Sequence, residues 1–176
     1  PGARYGPAKR WPPERFAAAA EGWAAAQAHP AAAHVLLVGG TEDRADVAAV
    51  RAASAPGPTQ VVALAGRTDL VALAGLLAGA DAVLANDSGV AHLAAALERP
   101  TAIVFGSTDP RWTAPRGAAV RVLADPPSCA PCFRATCAIA ERYRCLRAIA
   151  PEAATRALLE AARAGGSGRA AGSEAR

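Results

Sequence analysis

Short apolar runs alternate with helix-like stretches along this chain, and the alternation constrains the fold more than any other feature of the sequence. Runs of four or five apolar residues suit strands that are buried on both faces of a sheet. The predicted strands are His34–Val38, Val61–Leu64, Ala82–Ala85, Thr101–Phe105 and a short fifth, Val120–Leu123. Alternating strands and helices predict parallel pairing through right-handed crossovers. The expected fold class is therefore α/β, a Rossmann-like parallel sheet flanked by helices.

Helix-forming residues fill the segments around these strands. The predicted helices are Pro12–Ala28, Glu42–Ala53, Asp69–Ala78, Ser88–Leu97 and Pro151–Ala164. Thr41 and Thr68 come just before two of them and are the expected N-caps. The final segment, 165–176, is rich in Gly and Ser and is expected to be a flexible tail, which leaves 1–164 as the folded domain.

Composition narrows the functional classes. The chain has 176 residues, the size of one domain, and is 52% hydrophobic, so it can bury a core. Charges, Pro and Gly interrupt its alanine runs before they reach the roughly 18 apolar residues that span a bilayer. With a net charge of +4, scattered basic residues and 5% aromatic residues, no nucleic-acid partner is expected. Because the chain lacks Met and starts at Pro1, we expect a piece of a longer protein.

The loops after the predicted strands are the expected ligand site, since ligands of such folds lie at the carboxyl ends of the strands. Asn86-Asp87-Ser88-Gly89 follows one strand and opens a helix, with His92 about one turn later. Backbone N–H groups and the Ser88 hydroxyl can hold a phosphate there, Gly89 permits close approach, and His92 can donate to a phosphate or sugar hydroxyl. Alternatively, Asp87 or Ser88 merely caps the helix and His92 is a partly buried polar residue.

Two further segments carry candidate binding residues. The only lysine of the chain, Lys9, stands beside Arg10 in a Gly/Pro-rich loop that enters a helix. A pliable loop, a compact ammonium and a helix N-terminus suit a pyrophosphate, whereas the alternative is a solvated basic pair beside a packed Trp11. Glu42 ends the string GGTE just past a strand. Its carboxylate can bind a ribose diol or, equally, stabilise the first turn of a helix.

Four cysteines, Cys129, Cys132, Cys137 and Cys145, are clustered in one segment. Together they can supply an all-thiolate zinc site, although their later spacings are irregular for a zinc ribbon or knuckle. Local disulfides in an oxidising compartment and buried free thiols are the alternatives. The cluster is not expected to be catalytic, because no His is placed to activate a thiol.

With these motifs in their order, the sequence resembles the ADP-heptose:lipopolysaccharide heptosyltransferases of glycosyltransferase family nine, and the type II branch in particular. The resemblance covers about residues 1–160. It rests on PGARYGPAKRWP (1–12), LLVGGTED (36–43), LAGRTDL (64–70), ANDSGVAHLAAAL (85–97), FGSTDPRWTAP (105–115) and the cysteine cluster with CLRAIAPEA (145–153). Ser107 departs from the family pattern, which leads us to expect Pro there.

The resemblance implies a GT-B fold, in which two Rossmann-like domains face each other across a cleft. This chain would be the C-terminal half, which binds the nucleotide-sugar donor and includes the cysteine-rich segment 129–145. The N-terminal acceptor domain, which carries the general base in the family, would be absent. By similarity, Lys9 contacts the diphosphate and stabilises the leaving ADP, and Arg10 could add charge there. The resemblance also implies ribose binding by Glu42, heptose binding by Asp87, and phosphate contacts from Ser88 and Gly89, with His92 nearby.

The implied activity is inverting, metal-independent transfer of heptose from ADP-heptose to the lipid A–core acceptor. No cofactor would then be required, with structural zinc left as an option at the cysteines. A cytoplasmic monomer at the cytoplasmic face of the inner membrane is expected, and the isolated chain should have no turnover. The alternatives are a UDP-sugar-dependent GT-B enzyme, including a 2-epimerase, and a non-catalytic nucleotide-binding or zinc-stabilised module.

Overall fold

Parallel strands and helices alternate in the structure, a computed structural model that describes residues 5–29 and 33–172. The strands are β1 (His34–Leu37), β2 (Gln60–Ala63), β3 (Val83–Asn86), β4 (Thr101–Val104) and β5 (Val120–Leu123). The α-helices are α1 (Pro13–Ala25), α2 (Arg44–Ala53), α3 (Leu70–Gly79), α4 (Gly89–Ala96), α5 (Pro110–Thr113), α6 (Arg144–Arg147) and α7 (Pro151–Gly172). Short 3₁₀ turns are formed by Pro7–Lys9 and Thr41–Asp43. The first four residues of the PGARYGPAKRWP string lie outside the described residues.

Every strand pairing that the structure describes is parallel, which confirms the predicted fold class. β1 pairs with β2, and β3, β4 and β5 pair in that order. β4 is central in its sheet and all four of its residues are buried, as its continuous apolar sequence predicts. Its neighbours β3 and β5 stay in register with it, Ile103 lying opposite Ala85 on one side and Val122 on the other. The carboxyl ends of these three strands therefore share one edge.

Helix α7 covers this sheet with an apolar face. Its buried residues follow the spacing of one helical face: Ala154, Ala157, Leu158 and Ala161. The helix extends to Gly172, past its predicted end at Ala164, so 165–172 is helical where a flexible tail was predicted, and 173–176 lies outside the described residues. None of the helices that the structure describes is long and apolar enough to cross a membrane.

Two predicted N-caps are wrong. The residue that caps α3 is Asp69, whose carboxylate accepts a hydrogen bond from the Ala72 N–H at 2.8 Å, and not Thr68. Thr41 lies inside the 3₁₀ turn that precedes α2, and Gly40 occupies the cap position of that turn. In both places several cap-forming residues are adjacent, and the backbone direction decides between them.

Candidate functional site

A cavity of about 1210 Å³ runs along β1 and β3, from Ala33 and Ala82 at their amino ends to Gly40 and Asp87 at their carboxyl ends. Five of the seven predicted binding residues line it: Lys9, Glu42, Asp87, Ser88 and Gly89. They come from three separate stretches of sequence, and two of these follow β1 and β3, which belong to different sheets and both end at this cavity. Apolar walls combined with a few charged groups are typical of a small-molecule site, although this cavity is larger than most such sites.

Lys9 and Asp87 form a buried ion pair at the wall of this cavity. Nζ of Lys9 lies 2.5 Å from Oδ2 of Asp87, and the two side chains are only 12% and 5% exposed. The Thr108 hydroxyl donates to the same Oδ2 at 2.7 Å, and the Tyr5 ring centroid lies 4.8 Å from Nζ. Buried charges persist in proteins when they are paired and hydrogen-bonded, and these contacts meet that condition. The only lysine of the chain is thus held at the cavity.

The start of α4 is accessible from the cavity. Ser88 occupies the N-cap position, but its side chain makes no capping hydrogen bond. A Cβ added to Gly89 would meet no heavy atom within 4 Å. The carboxylate of Asp87 binds Lys9 and Thr108. The alternative in which Asp87 or Ser88 merely caps the helix therefore does not describe this site, and the first N–H groups of α4 can hold an anion.

Asn86, the only asparagine of the chain, anchors the loop that carries Lys9. Its Oδ1 accepts a hydrogen bond from the Trp11 N–H at 3.0 Å. The Trp11 side chain is 1% exposed, packs edge-on against Phe16 at 5.1 Å and donates its indole N–H to the Leu146 carbonyl at 3.1 Å. These contacts tie the loop to the end of β3 and to the core, which fixes the position of Lys9 two residues earlier.

The other predicted residues differ in their placement. Arg10 is directed at α2, where its Nη1 lies 3.0 Å from Oδ2 of Asp46, and it is not part of the cavity lining. His92 is exposed on α4 and is likewise outside the lining. Glu42 lies at the cavity in the 3₁₀ turn after β1, and its carboxylate accepts a 3.4 Å hydrogen bond from Thr41. Glu42 is exposed, so a ligand can reach it.

The four cysteines are free thiols that line one small cavity of about 20 Å³. Hydrogen bonds from two backbone groups lower the pKa of the Cys137 thiol; the larger effect comes from Tyr143 and the smaller from Ile139. Burial raises the pKa of Cys145, and the three neighbouring thiols raise it further. Within residues 5–29 and 33–172, no group of three or more His, Cys, Asp or Glu side chains is arranged to hold a metal ion. The zinc hypothesis therefore gains no support from the geometry.

Sequence reasoning pointed to the loop after β4 but missed the residues in it that matter. Thr108 is buried and supports Asp87 directly. Asp109 caps α5 by accepting from the Arg111 N–H at 2.9 Å, and its carboxylate lies 2.7 Å from the Arg111 guanidinium. That hydrogen-bonded pairing lowers the pKa of Asp109 and raises the pKa of Arg111. The string STDP immediately after a strand was the available signal.

Comparison with known proteins agrees with the sequence resemblance. The model of glycosyltransferase family 9 (heptosyltransferase) matches residues 1–142. Lipooligosaccharide heptosyltransferase 2 of Haemophilus influenzae is 39% identical over 124 residues, which cover 65% of this chain and 32% of the relative. The chain thus spans about one third of the length of this curated relative.

Two solved structures share the fold. The Escherichia coli ADP-heptose LPS heptosyltransferase II superposes with a TM-score of 0.75 at 28% identity, over 92% of this chain and 44% of that one. The E. coli heptosyltransferase WaaC with ADP gives a TM-score of 0.55 at 28% identity, over 68% of this chain and 35% of that one. The Rossmann-like domain of this chain therefore has the same fold as the matched part of these heptosyltransferases. With its family model matched over most of its length, the chain belongs to glycosyltransferase family 9, the heptosyltransferases.

Proposed function

We propose that this chain is the donor-binding half of an enzyme that transfers heptose from ADP-heptose to the inner-core/lipid A acceptor during lipopolysaccharide synthesis. The observation that carries the proposal is the convergence of Lys9, Asp87, Ser88, Gly89 and Glu42 on one cavity. Family membership and the names of the relatives support heptose as the sugar. The fold shared with a heptosyltransferase that holds ADP supports an adenine nucleotide. The donor half comprises 1–164, and the acceptor domain is outside this chain.

In the proposed reaction an acceptor hydroxyl attacks the anomeric carbon of the donor. A new C–O bond forms on the face opposite the departing ADP, and the bond to the diphosphate oxygen breaks, so the configuration inverts. Negative charge then grows on the diphosphate, where the Lys9 ammonium and the N–H groups at the start of α4 stabilise it. The acceptor proton passes to a general base in the acceptor domain, so this chain alone has no turnover.

Asp87 serves two purposes in this scheme. First, it neutralises the charge of Lys9. Second, it can bind the sugar, because its hydrogen bonds with Lys9 and Thr108 both use Oδ2. We assign Oδ1 to a hydroxyl of the heptose. An ammonium has three donors, so Lys9 can keep its bond to Asp87 while it donates to the diphosphate. Glu42, exposed at the cavity, accepts from the ribose hydroxyls.

The scheme assigns Arg10 and His92 secondary roles. Arg10 pairs with Asp46, which offsets most of its charge, so in this scheme it does not touch the donor. His92 is exposed on α4, one turn from Gly89, and would meet the donor only where it extends beyond the cavity.

Three further features belong to the same proposal. Lys9 and the start of α4 supply the positive charge that a divalent cation would otherwise provide, so the transfer requires no metal. The lipid acceptor places the enzyme at the cytoplasmic face of the inner membrane as a peripheral protein. We expect it to act there as a monomer.

Isothermal titration calorimetry of ADP, ADP-heptose and UDP-sugars against this chain tests the proposal. Lys9→Ala should weaken ADP binding about 10- to 100-fold, the usual loss for a hydrogen bond to a charged group. Arg121→Ala is the matched control, because it removes one positive charge from β5 at a position outside the cavity lining. Equal ADP affinity in wild type and Lys9→Ala would refute the role of Lys9. A preference for UDP-sugars would indicate the UDP-dependent alternative, and absence of nucleotide binding would indicate a non-catalytic module.

A further inference from the structure

The cysteine-rich segment packs directly against the loop that carries Lys9. The Ala8 N–H donates to the carbonyl of Ala135 at 3.0 Å. Nearby, the Tyr5 hydroxyl donates to the carbonyl of Phe133. Tyr5 also places its ring beside the Lys9 ammonium. Ala8 within the 3₁₀ turn and Tyr5 before it are therefore bonded to backbone atoms of a segment more than a hundred residues away.

The loop after β4 completes this arrangement. Its Ser107 N–H donates to the Ala8 carbonyl at 3.2 Å, and its Ser107 carbonyl accepts from the Phe133 N–H at 2.8 Å. Thr108, the next residue, holds Asp87. The backbone of Ala8 is thus bonded on both sides, by its N–H to the cysteine-rich segment and by its carbonyl to the loop that supports Asp87.

Two glycines allow these three segments to approach so closely. Gly6 has φ +138°, which side-chain-bearing residues rarely adopt, and a Cβ there would lie 2.7 Å from the Ala135 carbonyl oxygen. A Cβ at Gly106 would lie 2.3 Å from the Ala8 carbonyl oxygen. Both distances are shorter than any non-bonded contact of this kind. No side chain fits at either junction unless the Lys9 loop or the backbone packed against it moves.

We propose that the cysteine-rich segment, residues 129–145, is a positioning clamp that holds the Lys9 ammonium at the donor diphosphate. The clamp acts through its backbone carbonyls, which accept from the Ala8 N–H and the Tyr5 hydroxyl, and none of its own residues lines the donor cavity. The inference rests on the proposed function, because it assumes that Lys9 binds the diphosphate. It gives the segment a role that requires neither metal nor thiol chemistry.

Gly6→Ala tests the clamp at its junction, with Gly57→Ala as the matched control because a Cβ at Gly57 meets nothing within 4 Å. Displacing Lys9 should remove most of its contribution, so Gly6→Ala should weaken ADP binding about tenfold while Gly57→Ala leaves it unchanged. If the effect acts through Lys9, the double variant Gly6→Ala/Lys9→Ala should bind ADP no more weakly than Lys9→Ala alone. If Gly6 had only a structural role, independent of Lys9, the fold-losses in ADP affinity of the two single variants would multiply in the double variant.

Two outcomes would overturn the clamp and leave the proposed function intact. In the first, Gly6→Ala folds and binds ADP as tightly as wild type. In the second, the fold-losses in ADP affinity of the two single variants multiply in the double variant. Wild type that fails to bind ADP would overturn the proposed function, and the clamp with it.

Thiol labelling supplies a second test that remains valid if Gly6→Ala does not fold. If opening of the segment releases Lys9 and so weakens ADP binding, linkage requires that bound ADP in turn disfavours the opening. Cys137 and Cys145 are partly buried, so their alkylation reports opening of the segment, and they do not line the donor cavity, so ADP cannot shield them by contact. Saturating ADP should slow their alkylation several-fold in wild type, and in Lys9→Ala it should not. Alkylation rates that ADP leaves unchanged in wild type would overturn the clamp.

Discussion

Removing the Lys9 ammonium should destabilise the fold as well as weaken the proposed binding of ADP. Lys9→Met keeps most of the aliphatic stem and deletes the charge that lies 2.5 Å from Asp87. Asp87 is then left as a carboxylate that is only 5% exposed, with Thr108 as its remaining donor. Loss of one partner from a buried ion pair is costly because the other charge stays buried without compensation.

The size of the effect follows from the burial of the pair. Removal of one partner from a fully buried pair costs about 3 to 5 kcal/mol. Because Thr108 still donates to Asp87 and a cavity adjoins it, we expect the lower end, about 3 kcal/mol. For a chain of this length that corresponds to a fall in Tm of about 6 to 12 °C. Asp87→Asn in the Lys9→Met background removes the orphaned charge and should recover at least half of the loss.

Urea unfolding of wild type, both single variants and the double variant measures these free energies, with fluorescence of the buried Trp11 as a probe of the core. The expected coupling energy between the two positions is about 2 kcal/mol. A loss below about 0.5 kcal/mol in Lys9→Met, with no coupling to Asp87→Asn, would refute the buried pair. The same data define the conditions under which Lys9 variants are folded for the ADP titrations.

Two smaller predictions check local features. Asp69→Ala should lower the free energy of unfolding by about 1 kcal/mol through loss of the α3 cap. The control Thr68→Ala should change this free energy little. Equal effects of the two variants in urea denaturation would contradict Asp69 as the cap. Because its pKa is lowered while that of Cys145 is raised, Cys137 should show the lower pH midpoint for alkylation by iodoacetamide, measured by mass spectrometry. The reverse order of midpoints would show that the Tyr143 backbone does not stabilise the Cys137 thiolate.

The strands were predictable because each is an isolated apolar run with clear boundaries. The string TAIV became β4, buried throughout, and β5 matches its predicted bounds. Helices α5 and α6 were not predicted, because four residues contain too little periodicity to signal a helix. The continuation of α7 past Ala164 also escaped prediction, since its Gly and Ser residues favour a flexible tail.

The site was predictable to the extent that topology determines it. Loops after parallel strands meet at one edge, so Glu42 and Asp87 could be expected together before any distance was known. The direction of a side chain on a tight turn could not be predicted in the same way. Lys9 and Arg10 are neighbours in sequence, yet one pairs with Asp87 and the other with Asp46 on α2. Tertiary contacts decide which of two adjacent cations faces the cavity, and single-sequence patterns carry no information about them.

The surroundings of Lys9 also explain why an ammonium suits this position in a chain that otherwise uses arginine. Its Nζ lies between a buried carboxylate and the face of the Tyr5 ring, on a turn that Gly6 allows to pack closely. A planar guanidinium would bind Asp87 through two parallel hydrogen bonds and direct its remaining donors along a fixed fork. A compact ammonium shares its charge between the carboxylate and an incoming anion without changing its position. The residue that neutralises Asp87 in the free site can therefore stabilise a leaving diphosphate in the occupied one.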